Sequence, residues 1–150
     1  MPVLLGNDRQ ESLSYWAMEG RTLASERSVL IVDRSEETRE VLKTALERRG
    51  MRTYAASRAR HGLELARRHH PDVIVLDLDM ENGSPEEVCR PFAGQCSGHP
   101  ARLIFLGGLF HRRRRPSGGE FVSKPYHYGP LVRRIEELTR WTGHGHARSA

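Results

Sequence analysis

Pro71-Asp72-Val73-Ile74-Val75-Leu76-Asp77-Leu78-Asp79-Met80 decides how this chain folds. Val73 to Leu76 form an unbroken apolar run, and Leu78 extends it past Asp77. The β-branched Val73, Ile74 and Val75 favour a strand. A strand that is apolar at consecutive positions is buried on both faces, as in a parallel sheet covered by helices. Asp77 stands at its carboxyl end, and in open α/β sheets ligands bind along that edge. Asp77 is therefore the first candidate for chemistry.

The same pattern recurs upstream. Ser28 to Val32 are followed by Asp33, giving a second buried strand that ends in a carboxylate. Ser35 can cap the next helix, with Glu36 and Glu37 in its first turn, where negative charge suits the dipole. Val41, Leu42, Ala45 and Leu46 share one helical face, and Arg48, Arg49 and Gly50 supply the stop. Residues 51–55 read as a short strand. Residues 58–69 read as a helix with Leu63, Leu65 and Ala66 inward, ended by Pro71. His69 and His70 close that helix, where positive charge suits the dipole.

Beyond the central strand, Ser84 caps a helix, Pro85 opens it, Glu87 completes the capping box, and Val88 and Phe92 face inward. Residues 102–106 make a fourth strand. Residues 107–120 read as a loop holding at most one or two helical turns. Residues 121–123 form a fifth strand, followed by Lys124-Pro125. A last helix over 129–141 places Leu131, Val132, Ile135 and Leu138 on one stripe. Alternating strands and helices predict right-handed crossovers in a parallel sheet. The expected fold is flavodoxin-like: a doubly wound five-stranded parallel sheet, order 2-1-3-4-5, with a shortened fourth helix. Residues 1–27 read as a flexible N-terminal extension, 28–141 as the domain and 142–150 as a disordered tail.

Composition narrows the function classes. The chain has 150 residues, 37% of them apolar and 29% charged, with formal charge +5. That is one ordinary domain whose diffuse basic excess does not mark a committed nucleic-acid binder. Cys89 and Cys96 make no disulfide framework and fit no zinc spacing, so they read as reduced thiols. No run reaches transmembrane length and the first residues lack signal-peptide character, so the expected location is the cytoplasm, with no membrane partner. His144 and His146 lie in a Gly-rich stretch and read as incidental to metal binding.

Three charged groups fall at the carboxyl ends of three strands: Asp33, Asp77 and Lys124. Two adjacent carboxylates repel unless a cation lies between them, and Mg²⁺ takes one or two protein carboxylates. Lysine can pair with a carboxylate or a phosphoryl oxygen. An Asp in such a setting is a candidate nucleophile for a phosphoryl group, giving an aspartyl phosphate by positioning and charge neutralisation.

The pieces Val29-Leu-Ile-Val-Asp33, Pro71 through Asp77 and Val122-Ser-Lys124-Pro125-Tyr126, with the spacing between them, resemble the receiver domain of bacterial two-component response regulators. The resemblance covers 28–140 and implies a CheY-like fold that is not an enzyme. It places Asp77 at the phosphoacceptor position, Asp33 at one position of the family's acidic pair, the carbonyl of Asp79 on the metal and Lys124 on the phosphoryl group. The implied cofactor is Mg²⁺. The implied donor is a histidine kinase or phosphotransfer protein, with output through a downstream protein partner. Several positions depart from the pattern. Arg34 takes the second acidic position and weakens or abolishes the Mg²⁺ site. Gly107 replaces a Thr or Ser, Phe121 keeps the aromatic switch position without that partner, and Glu81 replaces a proline.

Other readings stay open. One is a phosphorylation-independent pseudo-receiver that binds a partner constitutively, with Arg34 on Asp77 in place of a metal. The run Arg112 to Arg115 reads as a solvated loop, or as a dock for an acidic partner or phosphate backbone. It lacks interleaved aromatics and a helix-turn-helix, which argues against sequence-specific DNA binding. Asp77-Leu-Asp79 also resembles the first motif of haloacid dehalogenase-like phosphatases. That motif normally opens its domain, and its later acidic motif is missing here.

Overall fold

The computed structural model describes residues 27–80, 85–93 and 101–148. Residues 1–26, Glu81, Ser84 and Cys96 lie outside them, and with them the N-terminal extension, the replaced loop proline and the expected cap of the third helix. Five strands form one parallel sheet: β1 (Ser28–Val32), β2 (Arg52–Ala56), β3 (Val73–Asp77), β4 (Arg102–Gly107) and β5 (Gly119–Ser123). Their order is β2-β1-β3-β4-β5, the flavodoxin-like arrangement expected from the alternation. Between and after them run α1 (Glu36–Arg48), α2 (Ala59–His69), α3 (Pro85–Ala93), α4 (Leu109–Arg113) and α5 (Tyr128–Arg148).

The consecutive apolar residues of the central strands divide cleanly between two faces, because strand side chains alternate. Val29, Ile31, Val73, Val75, Ile104 and Leu106 pack with Leu42 and Leu46 of α1 and Leu131, Ile135 and Leu138 of α5. Leu30, Val32, Ile74, Leu76, Leu103 and Phe105 pack with Ala66 of α2 and Cys89 and Phe92 of α3. All of these are buried. The two-sided burial explains why the central strands lack the polar alternation of a solvent-facing sheet.

Local chemistry sets the helix ends. The Ser35 side chain accepts from Thr38 N–H at 3.2 Å and caps α1. Gly50, at φ +84°, turns the chain out of that helix, a conformation that costs glycine little. Gly62 lets α2 lie close on β1: a Cβ there would sit 2.7 Å from Val32 Cγ2. The fourth crossover is short as expected, with α4 spanning five residues.

Two expectations need correction. The last helix does not stop at residue 141 but continues to Arg148, so the stretch read as a disordered tail is helical through that residue. Gly143 and Gly145 each cost a helix about 1 kcal/mol, but only a proline forbids continuation, and none follows Pro130. His69 does not favour a positive charge at its helix end. Its pKa is lowered, first by burial and then by Arg68 and Arg52, and its ring stacks on Tyr54 with centroids 4.0 Å apart.

Candidate functional site

The strand order reverses around β1 and β3, which opens a crevice at their carboxyl ends. Val32 registers with Leu76, so Asp33 and Asp77 emerge side by side. Both are buried, at 3% and 5% exposure. Asp33 Oδ1 accepts the Ser35 N–H at 2.8 Å, and Arg39 donates to the Asp33 carbonyl at 2.8 Å. Burial, opposed by the Ser35 hydrogen bond and reinforced by the negative charge of Asp77, pushes the Asp33 carboxyl up to about 6. The pair is short of positive charge.

Lys124 supplies part of it. Its N–H donates to the Gly107 carbonyl at 2.8 Å, which ties the end of β5 to the end of β4. Its Nζ donates to Asp77 Oδ1 at 2.8 Å and stands 3.0 Å from Asp79 Oδ2. Asp79 N–H donates to the same Asp77 oxygen at 3.0 Å. Burial alone would lower the Lys124 pKa, but its bonds to Asp77 and Asp79 outweigh burial and raise it. Burial likewise opposes ionisation of Asp79, and Lys124 followed by His111 overcomes it, so that carboxyl is held low.

The site opens to solvent as a cleft of about 290 Å³, walled by Thr38 and Tyr126 beside the charged groups. Burial and the charge of Asp33 push the Tyr126 phenol up to about 12, so it stays a neutral donor at ordinary pH. Asp33 and Asp77 offer the two carboxylates that Mg²⁺ accepts, and Lys124 offsets only part of their charge, leaving a remainder that a cation relieves. The residues present therefore fit that ion. Among the described residues no group of three or more His, Cys, Asp or Glu side chains could hold a metal, so carbonyls or waters would complete the shell.

The structure brings together Asp33, Asp77, Asp79 and Lys124. Arg34 lines the same cleft but is exposed, and among the described residues its side chain forms no ion pair. Of the two cations that could pair with Asp77, Lys124 does so at 2.8 Å, and the Arg34 side chain stays exposed. Gly107 has no room for a side chain: a Cβ there would lie 2.9 Å from His111 Cβ and 3.2 Å from Phe121 Cε1.

Sequence reasoning missed His111 altogether. Its Nδ1 lies 2.8 Å from Asp79 Oδ1, and the side chain is 13% exposed. The available signal was its place one helical turn after Gly107, hidden in a stretch read as a loop. Leu109 and Phe110 were missed too: they are exposed at 66% and 64%. The arginines beside them are solvated as expected, with Arg114 6.0 Å over Phe110 and Arg115 5.7 Å over Phe121.

Residues 29–106 match the family model for the response regulator receiver domain, just over half of the chain. The chain belongs to the response regulator receiver family. Receiver domains are signalling modules of two-component systems rather than enzymes as a class. This receiver is 32% identical over 118 residues to the KDP operon transcriptional regulatory protein KdpE of Escherichia coli strain K12. It is 29% identical over 119 residues to the probable transcriptional regulatory protein TcrX of Mycobacterium tuberculosis. The matches take in 75% and 77% of this chain and 51% of each relative, so the chain spans about half the length of the curated relatives it matches. The receiver domain of Francisella response regulator 1452 superposes with a TM-score of 0.65 at 23% identity, covering 78% of this chain and 99% of that one. The receiver domain of hybrid histidine kinase CckA gives 0.60 at 19%, covering 75% and 98%. These structural likenesses show the fold. No helix among the described residues is long and apolar enough to cross a membrane.

Proposed function

We propose that this receiver accepts a phosphoryl group on Asp77 from a histidine kinase or phosphotransfer protein and signals through protein–protein contacts. The observation that carries this reading is the Lys124 ammonium, 2.8 Å from Asp77 Oδ1 beside the buried Asp33 in an open cleft. The carboxylate of Asp77 attacks phosphorus while the donor's P–N bond breaks, giving an acyl phosphate and returning the imidazole to the donor. Asp77 is the nucleophile, and Lys124 neutralises charge on the transferred group. Mg²⁺, when bound, would add charge neutralisation. Asp33, Asp77 and the carbonyl of Asp79 are the groups to hold it, with Arg34 at the rim lowering its affinity. The segment we assign to the receiver runs from residue 28 to the end of α5, beyond the boundary at 141 expected from the sequence, and the cytoplasm is where such a donor would meet it.

The decisive experiment is intact mass after incubation with acetyl phosphate and Mg²⁺, beside Asp77→Asn. An adduct of about 80 daltons, that of one phosphoryl group, present only with Asp77, supports the proposal. Its absence sinks it. One observation favours a second reading. Lys124 already bridges Asp77 and Asp79, so the site is partly neutralised from within. A phosphorylation-independent pseudo-receiver would bind its partner equally well as wild type and as Asp77→Asn.

A further inference from the structure

We propose that His111 is a positioning residue of the acidic site: it fills the space left open by Gly107 and holds Asp79, keeping the Lys124 ammonium shared between Asp79 and Asp77. Four observations meet at this point. His111 occupies the volume a side chain at 107 would need, with its Cβ 2.9 Å and its Cγ 3.4 Å from a Cβ built there. Its Nδ1 reaches within 2.8 Å of Asp79 Oδ1. That nitrogen is sealed from solvent and makes no aligned hydrogen bond among the described residues, so its contact with Asp79 is one of charge and close approach. The second Asp79 oxygen, Oδ2, lies 3.0 Å from Lys124 Nζ, whose other carboxylate contact is Asp77 at 2.8 Å.

The chemistry follows from these contacts. A hydrogen on Nδ1 makes this 2.8 Å approach attractive, where a bare lone pair would repel the carboxylate. Asp79 is exposed enough to swing into solvent, at 39% of its side chain. A contact on one oxygen leaves the other turned to Lys124, so the ammonium divides its hydrogen bonds between two carboxylates. Groups that orient a liganding or reacting side chain from behind commonly matter nearly as much as that side chain. Gly107 and His111 are thus two halves of one arrangement. The part this positioning plays in phosphoryl transfer rests on the acceptor reading above, whereas the positioning itself rests on geometry.

The chain offers a direct test, because its only lysines are Lys43 and Lys124. Lys43 is exposed on α1 and serves as an internal reference. The full chain is acetylated under limiting N-hydroxysuccinimide acetate, and the Lys124 to Lys43 labelling ratio is read by peptide mass. We expect His111→Ala to raise the ratio about fivefold, the most that one partly exposed ion pair protects. Gly107→Ala, which displaces the imidazole, should raise it similarly, and the double variant should rise no further than the larger single. His111→Asn should keep the wild-type ratio, since its Nδ2 is as many bonds from the backbone as Nδ1.

An unchanged ratio in both His111→Ala and Gly107→Ala overturns the proposal. So does His111→Asn labelling as fast as His111→Ala, which would reduce His111 to packing. Equal labelling of both lysines marks an unfolded variant; if His111→Ala behaves so, Gly107→Ala and His111→Asn decide. A missing phosphoryl adduct on wild type alongside the expected ratios sinks the acceptor reading alone.

Discussion

Asp33 and Lys124 are two of the residues whose titration the site controls. The Asp33 carboxyl sits at about 6 when folded, against an ordinary 3.8. The folded protein therefore holds the extra proton between those values, and stability falls as pH rises through that window. Asp33→Asn removes this cost. We expect it to be more stable than wild type by about 1 kcal/mol at pH 7, allowing for screening at a cleft that is open to water, with the difference vanishing below about pH 4. Urea denaturation at the two pH values checks this, and an equal difference at both would show that the carboxyl is not strained. Added Mg²⁺ should raise the melting temperature at pH 7.5 and do so less as pH falls below 6, where the proton competes for Asp33. Lys124→Met leaves Asp77 buried beside Asp33 without its cation. It should lose about 2 kcal/mol at pH 7 and abolish adduct formation with acetyl phosphate, measured by melting and intact mass. At this scale Asp33, Asp77 and Lys124 were legible because each follows an apolar strand, and a strand end fixes a position in three dimensions. His111 was not, because its importance comes from an absent side chain at Gly107, and a missing atom leaves no pattern in a sequence.

At the scale of elements, propensity and burial pattern located all five strands, because consecutive apolar residues have nowhere else to go. The boundaries that shifted are those set by packing or by tolerance. β5 begins at Gly119, two positions before the first apolar residue of the strand, because backbone pairing with Leu103 admits a glycine there. A Cβ at Gly119 would lie 2.7 Å from the Leu103 carbonyl oxygen. α5 outruns its apolar stripe because nothing breaks it. The approach of α2 to β1 makes the sharpest prediction. Gly62→Val forces two methyl groups against Val32 and should cost about 2 kcal/mol, mostly as faster unfolding, followed by denaturant kinetics. A neutral effect would mean that α2 moves freely on the sheet. Ile135→Ala on α5 should cost about 3 kcal/mol through the cavity it leaves, since the side chain is fully buried against the opposite face.

For the molecule as a whole, one sheet with two packed faces brings three strand ends into one cleft and leaves α4 at its margin with Leu109 and Phe110 in solvent. Segment order alone gave that layout, since right-handed crossovers admit few alternatives. What the order could not give is which cation neutralises Asp77. Arg34 is one residue from Asp33 and Lys124 is far away in the chain, but the fold puts the distant one in contact.

Cys89, buried between α3 and the sheet, is 3% exposed, and burial followed by the charge of Glu86 pushes its thiol up to about 12. The folded protein therefore presents a sulfur that a thiol reagent cannot reach and that is scarcely ever a thiolate. With Cys96→Ser removing the other thiol, the modification rate of the chain becomes a clock for the opening of α3. Each labelled molecule records one excursion of that helix from the sheet, timed without denaturant.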